Sequence, residues 1–519
     1  MFVRVLAFLN VTLLATALST AQELDEALFT SYATASLAAY EVPGAAIAVV
    51  KNGEVVQSKG FGLRDMRHDA PVDGDTLFAI ASNTKAFTAV LLATLVDEGK
   101  LDWDDRVTDH LPELRLFDTY ATRELTLRDL LSHRSGNASG AGDLLWLRST
   151  YSRPEIVHRI RFIPPAYGFR ARYGYQNVMY IAAGELAGAV SGSTWDDLVR
   201  ERVFEALEMR STNTTIRGRE AGANWATPHV RMDGRVQPIE PEIVDNLGGA
   251  GAINSSANDL SRWLLMLLGE GTLGTTRVFS EQQSEQMWTP HTVLPIGTAS
   301  PKLAPRQPRF SAYGLGFRMK DYRGRKLVHH GGGLAGMTSL TTLVPEEELG
   351  IVVLTNQETS FQTAVTYWVL DRYFGAPETD WTALQQEAAE KRWRERVQPL
   401  VDAVDDDRVT GTAPTLGLSE YAGPFTDRLY GGATIEQRDG HLHLQLDKSP
   451  AFRAPLEHWH FDTFLARFDH HSIVDALVTF VIGVDGSVDR FRMKPYSPAA
   501  DGATYHYEIL RFDRADAPD

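Results

Sequence analysis

Residues 86–96 constrain this chain more than any other stretch, because a helix drawn through them is apolar on nearly every side. Such a helix cannot lie on a surface. It needs other elements against every face and therefore belongs at the centre of a layered core. Gly99 follows as a natural stop. With 519 residues, 43% of them hydrophobic, the chain can build that core and a second, smaller domain.

The flanking segments supply layers. Residues 24–40 have loosely helical apolar spacing, and 45–50 and 55–60 read as strands meeting at Asn52-Gly53, a strong hairpin signal. Thr126-Leu127-Arg128-Asp129 resembles a capping box opening a short helix through Ser132. Residues 178–190, closed by Gly192, predict a second apolar helix, and 258–268, preceded by three glycines, a third. The proline-rich stretch 298–308 reads as a loop, while 326–328, 338–344 and 350–354 read as strands. Strands at both ends with helices between predict an α+β or α/β layer domain. Beyond about residue 376 the composition shifts, first to a charged helical stretch (385–396), then to an acidic and Gly/Thr/Pro-rich segment (405–417). From Ser419 onward short alternating strands and turns predict a small barrel or sandwich.

Charge and cysteine content exclude several functions. Lys and Arg total 51 against 67 Asp and Glu, a net charge of −16, so the surface repels phosphate backbones and nucleic acid is not an expected partner. With no cysteine there are no disulfides, thiolate metal sites or cysteine nucleophiles. Arg4, the apolar run 5–18 and the small residues 19–21 read as a signal peptide over residues 1–21, which implies a periplasmic or secreted protein without stable membrane insertion.

A serine hydroxyl needs a neighbour to take its proton. Ser82-Asn83-Thr84-Lys85 places an amine one helical turn after a serine, at the start of the most apolar helix. Desolvation there lowers the amine's pKa toward a usable base, and the helix start favours developing negative charge. Taken alone, the pattern is equally that of a capping serine and a surface lysine. Tyr175-Gln176-Asn177, just before the second apolar helix, adds a proton shuttle and an amide, or else a core tyrosine and a cap. His329-His330-Gly331-Gly332-Gly333-Leu334-Ala335-Gly336 reads as a glycine-rich turn joining two strands; since a strand follows, it is not a dinucleotide loop.

The ordered set Ser-x-x-Lys, Tyr-x-Asn and His-x-Gly resembles the penicillin-recognising serine hydrolases: class C β-lactamases, DD-peptidases and family VIII esterases. Val42-Pro43-Gly44, the segment 130–136, the segment 248–259 and Tyr313-Gly314-Leu315-Gly316-Phe317 carry the same resemblance, over about residues 24–375. It implies an α+β, β-lactamase/transpeptidase-like catalytic domain, an antiparallel sheet with helices on both sides. Ser82 is then the implied nucleophile, Lys85 and Tyr175 the proton-transfer pair, and Asn177 a residue lining the site. The backbone N–H groups of Ser82 and Gly333 are the implied oxyanion hole, with Gly332 beside the substrate. His330, favoured over His329 by its spacing to Gly336, stands where most true β-lactamases of the family carry lysine. That weakens a β-lactamase assignment and favours a peptidase or amidase, with carboxylesterase as an alternative. A non-catalytic binding module of the same fold is the remaining alternative.

The segment from Tyr421, with the aromatic residues Trp459, Phe461 and Phe464, loosely resembles the lipocalin-like extension of some members, expected either to narrow the cleft or to serve as a packing or dimerisation module. The resulting division is 1–21 signal peptide, 22–375 hydrolase domain, 376–418 helical linker and 419–519 β-barrel. The C-terminal histidines (441, 443, 458, 460, 470, 471) alternate with apolar residues as on exposed strand faces, so no metal is expected. No cofactor is expected either, the partner is a small peptide, amide or ester substrate, and the oligomeric state is open.

Overall fold

Alternation along the first hairpin sets the layers of the body. In a computed structural model of the chain, which describes residues 24–220, 222–298, 301–497 and 506–515, helix α1 (Glu26–Ala39) leads into strands β1 (Gly44–Lys51) and β2 (Glu54–Gly62). Asn52 and Gly53 between them both have positive φ, as a tight hairpin turn requires. Along β1, Ala45, Ile47 and Val49 join α1 in one core, while Ala46, Ala48 and Val50 join the other. A strand buried on both faces lies between two helical layers. The expected signal peptide lies outside the described residues.

Helices α2 (Thr84–Asp97), α3 (Asn177–Ser191) and α4 (Ala257–Leu268) form the larger core. Every residue of α2 from Thr84 to Leu95 is buried, and Phe87 stacks on Trp263 of α4 with 3.7 Å between ring centroids. The capping box of Thr126 and Asp129 is formed, and α3 ends on left-handed Gly192.

Strands β3 (Thr292–Val293), β4 (Ser311–Tyr313), β5 (Arg318–Tyr322), β6 (Arg325–Leu334), β7 (Met337–Val344) and β8 (Leu349–Thr355) complete the sheet. Its order is β2-β1-β8-β7-β6-β5-β4-β3, with every pair antiparallel. Helix α5 (Phe361–Tyr373) packs beside α1 on the smaller core. The body is thus the expected α+β layer fold, an antiparallel sheet with helices on both sides.

Two local expectations need correction. Within the stretch expected to be loop, Pro301–Arg306 forms a short 3-10 helix; a proline at a first helical turn gives up no hydrogen bond. Gly331, Gly332 and Gly333 are not a turn but the last part of β6, paired with Leu340, Ser339 and Thr338. The reversal is made by Ala335 and Gly336, and Gly336 has φ +74°.

After α5, helix α6 (Trp381–Arg392) buries Trp381 in the smaller core and bonds its indole to Asp371 at 2.9 Å. Eight further strands, β9 (Gly423–Asp427), β10 (Gly431–Arg438), β11 (His441–Leu446), β12 (Arg453–His460), β13 (Thr463–Ala466), β14 (Ala476–Ile482), β15 (Val488–Pro495) and β16 (Arg511–Arg514), follow. They close as an antiparallel barrel through β9 and β16. Phe425, Phe464, Phe480, Phe491 and Phe512 pack inside it, as side chains fill a barrel of this strand number. Along β11, Leu442, Leu444 and Leu446 are buried and His441, His443 and Gln445 are not. Among the described residues no group of three His, Asp or Glu could hold a metal, and no helix is long and apolar enough to cross a membrane.

Up-and-down topology puts alternate turns at the same rim of the barrel. Leu429, Tyr430, Lys448 and His506 all lie in connections at one rim, and all touch the body. Thr150 N–H donates to the Lys448 carbonyl at 2.7 Å, Arg159 to that of Leu429 at 2.9 Å, and Tyr151 to that of Tyr430. Phe461 sits at the opposite rim, Trp459 packs on Tyr496 and Arg408, and Phe464 lies in the barrel core. The aromatic stretch expected to narrow the cleft therefore points elsewhere. The barrel residues that share a cavity with Gly333 are His471 and Ser472.

Candidate active site

The start of α2 builds the site. Ala81, with φ +47°, opens a single 3-10 turn through Asn83; a non-glycine residue there is strained and needs support from its surroundings. The support is visible. The Asn83 amide donates to Ser339 Oγ at 2.7 Å, and that hydroxyl donates to the Ile80 carbonyl at 2.7 Å, tying the turn to β7.

Lys85 follows one turn later and is wholly buried. Its Nζ has three oxygen partners: Ser82 Oγ at 3.0 Å, Asn177 Oδ1 at 2.7 Å and the Ala250 carbonyl at 2.8 Å. Burial pushes the amine down to about 7; Asp143 opposes this shift and Arg318 adds to it. Tyr175 places its ring centroid 4.8 Å from Nζ. Burial raises its phenol, so at neutral pH it stays protonated.

His330 and His329 lie on opposite faces of β6, as alternation demands. His330 reaches the site, with its ring 6.2 Å from that of Tyr175. Its Nδ1 donates to the Gly331 carbonyl at 2.7 Å, and since a carbonyl only accepts, Nε2 is left to accept the Tyr313 hydroxyl at 2.9 Å. Burial and the nearby Arg318 hold it well below the usual histidine pKa. His330 is therefore neutral and cannot replace the family's lysine as a cation. His329 lines a cavity of about 400 Å³ with Arg306, Lys320, Tyr367 and Arg318, the last of which also reaches the Tyr175 ring.

Gly332 and Gly333 are placed differently. A Cβ on Gly332 would stand 2.1 Å from the Ile80 carbonyl, so this glycine lets β6 approach the Ser82 turn. Nothing lies within 4 Å of a Cβ on Gly333, which borders open cavities on both sides.

Four participants were not singled out from sequence. Asp143, nearly buried, accepts both bonds of the Asn177 amide at 3.2 Å and the Trp146 indole at 2.8 Å; burial pushes it up to about 6. Arg318 lies within 5.7 Å of the ring centroids of Tyr173, Tyr175 and Tyr313 and donates to the Tyr173 hydroxyl at 2.9 Å. It is the fixed cation of the cleft. Tyr313 holds His330, and buried His133 accepts the Gln176 N–H at 3.1 Å. Tyr313 and His133 lie in stretches quoted only for the family resemblance, and a buried Asp or a cleft Arg has no local sequence signature.

An arrangement with a hydroxyl, a buried amine of lowered pKa and a protonated phenol can transfer an acyl group through a serine ester. The family model described as Beta-lactamase matches residues 29–374, and that described as Domain of unknown function (DUF3471) matches residues 407–513. A curated relative, the unguisins hydrolase ungD′ of Aspergillus campestris, is 29% identical over 422 residues, covering 76% of this chain and 75% of its own. Among solved structures, the octameric penicillin-binding protein homologue from Pyrococcus abyssi aligns with TM-score 0.61 at 21% identity, covering 94% of this chain and 100% of its own. The D-amino acid amidase from Ochrobactrum anthropi aligns with TM-score 0.54 at 24% identity, covering 67% of this chain and 97% of its own. At those identities the two structures speak for the fold.

Proposed function

The chain belongs to the β-lactamase family of serine hydrolases, and from that premise we propose that it is an exported peptidase or amidase acting on small peptides through an acyl-enzyme at Ser82. The observation that carries the reading is the partnering of Lys85. Asn177 Oδ1 and the Ala250 carbonyl only accept, so they take the two N–H bonds of a neutral amine and leave its lone pair toward Ser82 Oγ.

Lys85 takes the Ser82 proton as Oγ bonds to the substrate carbonyl carbon. The carbonyl electrons move onto oxygen, to which the N–H groups of Ser82 and Gly333 donate hydrogen bonds. Tyr175, kept protonated by burial, relays the proton from Lys85 to the leaving nitrogen as the C–N bond breaks. Water then repeats the sequence on the Ser82 ester, and the acid is released. Asn177, His330 and Tyr313 orient these groups.

Arg318 argues for a peptide over a simple ester, and His330 argues against a β-lactam. Arg318 sets a permanent cation beside the site, suited to the free carboxylate of a short peptide. His330 is neutral where β-lactamases of the family carry lysine. Export rests on residues 1–21, and the division at 22–375, 376–418 and 419–519 belongs to the same proposal; N-terminal sequencing of the mature protein from cell fractions tests the leader.

The test of function is mass spectrometry of a mixed peptide and ester library incubated with wild type and with Ser82→Ala. Peptide cleavage lost in the variant is the expected result. Ester cleavage alone moves the protein to the esterase branch, and no turnover by either contradicts the enzyme reading in favour of a binding module.

A further inference from the structure

Among the described residues, His506 of the barrel hydrogen-bonds the loop that holds the catalytic groups. His506 lies in the connection between β15 and β16, at the rim that faces the body, and its side chain is 15% exposed. Its Nε2 donates to the Ser139 carbonyl at 2.7 Å, and its Nδ1 meets Glu508 Oε1 at 3.0 Å. Ser139 begins the loop that runs to Asp143, and this loop grips the Tyr-x-Asn segment twice.

The first grip is on the backbone of Tyr175. Its N–H donates to Ser139 Oγ at 3.0 Å, and its carbonyl accepts the Gly140 N–H at 2.7 Å. The second is Asp143, whose carboxylate holds the Asn177 amide, which in turn holds Lys85 Nζ. The loop is internally braced, the Asp143 N–H bonding the Gly140 carbonyl at 2.9 Å. A small cavity there is lined by Asp143 and Gly142 from the body and by Tyr430, His506 and Leu510 from the barrel. Displacing Ser139 therefore displaces both the phenol and the amine that serve Ser82.

We propose that His506 is a positioning residue for the active site, through which the barrel fixes the Ser139–Asp143 loop and with it Tyr175 and Lys85. The inference rests on Ser82 as nucleophile, and it makes the C-terminal barrel a structural part of the site rather than a separate appendage. A displacement of reacting groups by a fraction of an ångström slows the chemical step far more than it weakens binding.

The probe is a fluorophosphonate, which phosphonylates an activated serine with loss of fluoride and needs no knowledge of the natural substrate. The rate of Ser82 labelling is measured on the full chain for wild type, H506L, H506Q and H506N. Gln can carry an N–H donor to the place of Nε2; Asn is one methylene too short, and Leu donates nothing. We expect labelling to fall about tenfold or more in H506L and H506N and to stay within about threefold of wild type in H506Q, with the melting temperatures of H506Q and H506N alike. Equal labelling of wild type and H506L overturns the inference and leaves Ser82 untouched. If H506L does not fold, equal rates in H506Q and H506N overturn it. Wild type that does not label at Ser82 overturns the nucleophile reading, and this inference with it.

Discussion

Lys85 Nζ stands 3.0 Å from Ser82 Oγ while its other two partners are oxygens that can only accept. That relationship makes the neutral amine the form that can take the Ser82 proton, and burial makes the neutral form available near physiological pH.

The pH profile follows from it. A lysine brought down to about 7 is neutral above that value and charged below, so kcat/KM rises through about pH 7 with a slope of one and then levels. The Asp143 charge favours the ammonium form, so Asp143→Asn moves this limb to lower pH. Initial rates across pH 5–9 measure both; a limb unmoved in the variant rules out Lys85 as the titrating base.

Gly332 is required by closeness. Gly332→Ala places a methyl group 2.1 Å from the Ile80 carbonyl and 2.5 Å from Ser339 Oγ. Overpacking of this kind costs about 1–3 kcal/mol of stability, and separating β6 from the Ser82 turn lowers kcat about a hundredfold. Thermal melts alongside kcat check the pair of effects.

How much of this was legible in the sequence depends on whether the signal was local. The all-apolar α2, the Asn52-Gly53 hairpin, the capping box at Thr126 and the alternation of β11 are read from adjacent residues, and the structure has each of them. Ser82 lies in the 3-10 turn that runs into α2 and Lys85 in the first turn of α2, so their spacing alone brings them together. Ala250 meets Lys85, and Arg318 and Asp143 act on its charge, only through the fold, from three separate segments of the chain. The glycines of β6 read as a turn because their local preference is for turns; what they meet, the Ile80 carbonyl, lies 252 residues away in the chain. The barrel was recognisable from its turns, but which rim faces the body follows from topology, not from the aromatic residues that drew notice.

Arg318 carries the specificity prediction. Arg318→Gln removes the cleft's fixed cation, and the loss of a charge-assisted hydrogen bond is worth about 1.5–3 kcal/mol. KM for peptides with a free C-terminal carboxylate rises about tenfold or more, while C-terminally amidated peptides are little affected. Equal changes for both kinds of peptide contradict a carboxylate partner.

His471 and Ser472 border the cavity beside Gly333, which is about 670 Å³, with Glu242 and Leu334 on the other walls. Replacing His471 by glycine enlarges it, so bulkier acyl groups gain about tenfold in kcat/KM and small ones do not. A panel of substrates graded by acyl size reads this directly.

The central claim is an ester at Ser82. Rapid acid quenching of wild type during turnover of a cleaved library peptide, followed by peptide mapping, measures it most directly. The expected result is the acyl mass on the peptide containing Ser82, absent in Ser82→Ala and accumulating when water attack is slowed. Turnover with no such adduct, or with an adduct on another residue, contradicts it.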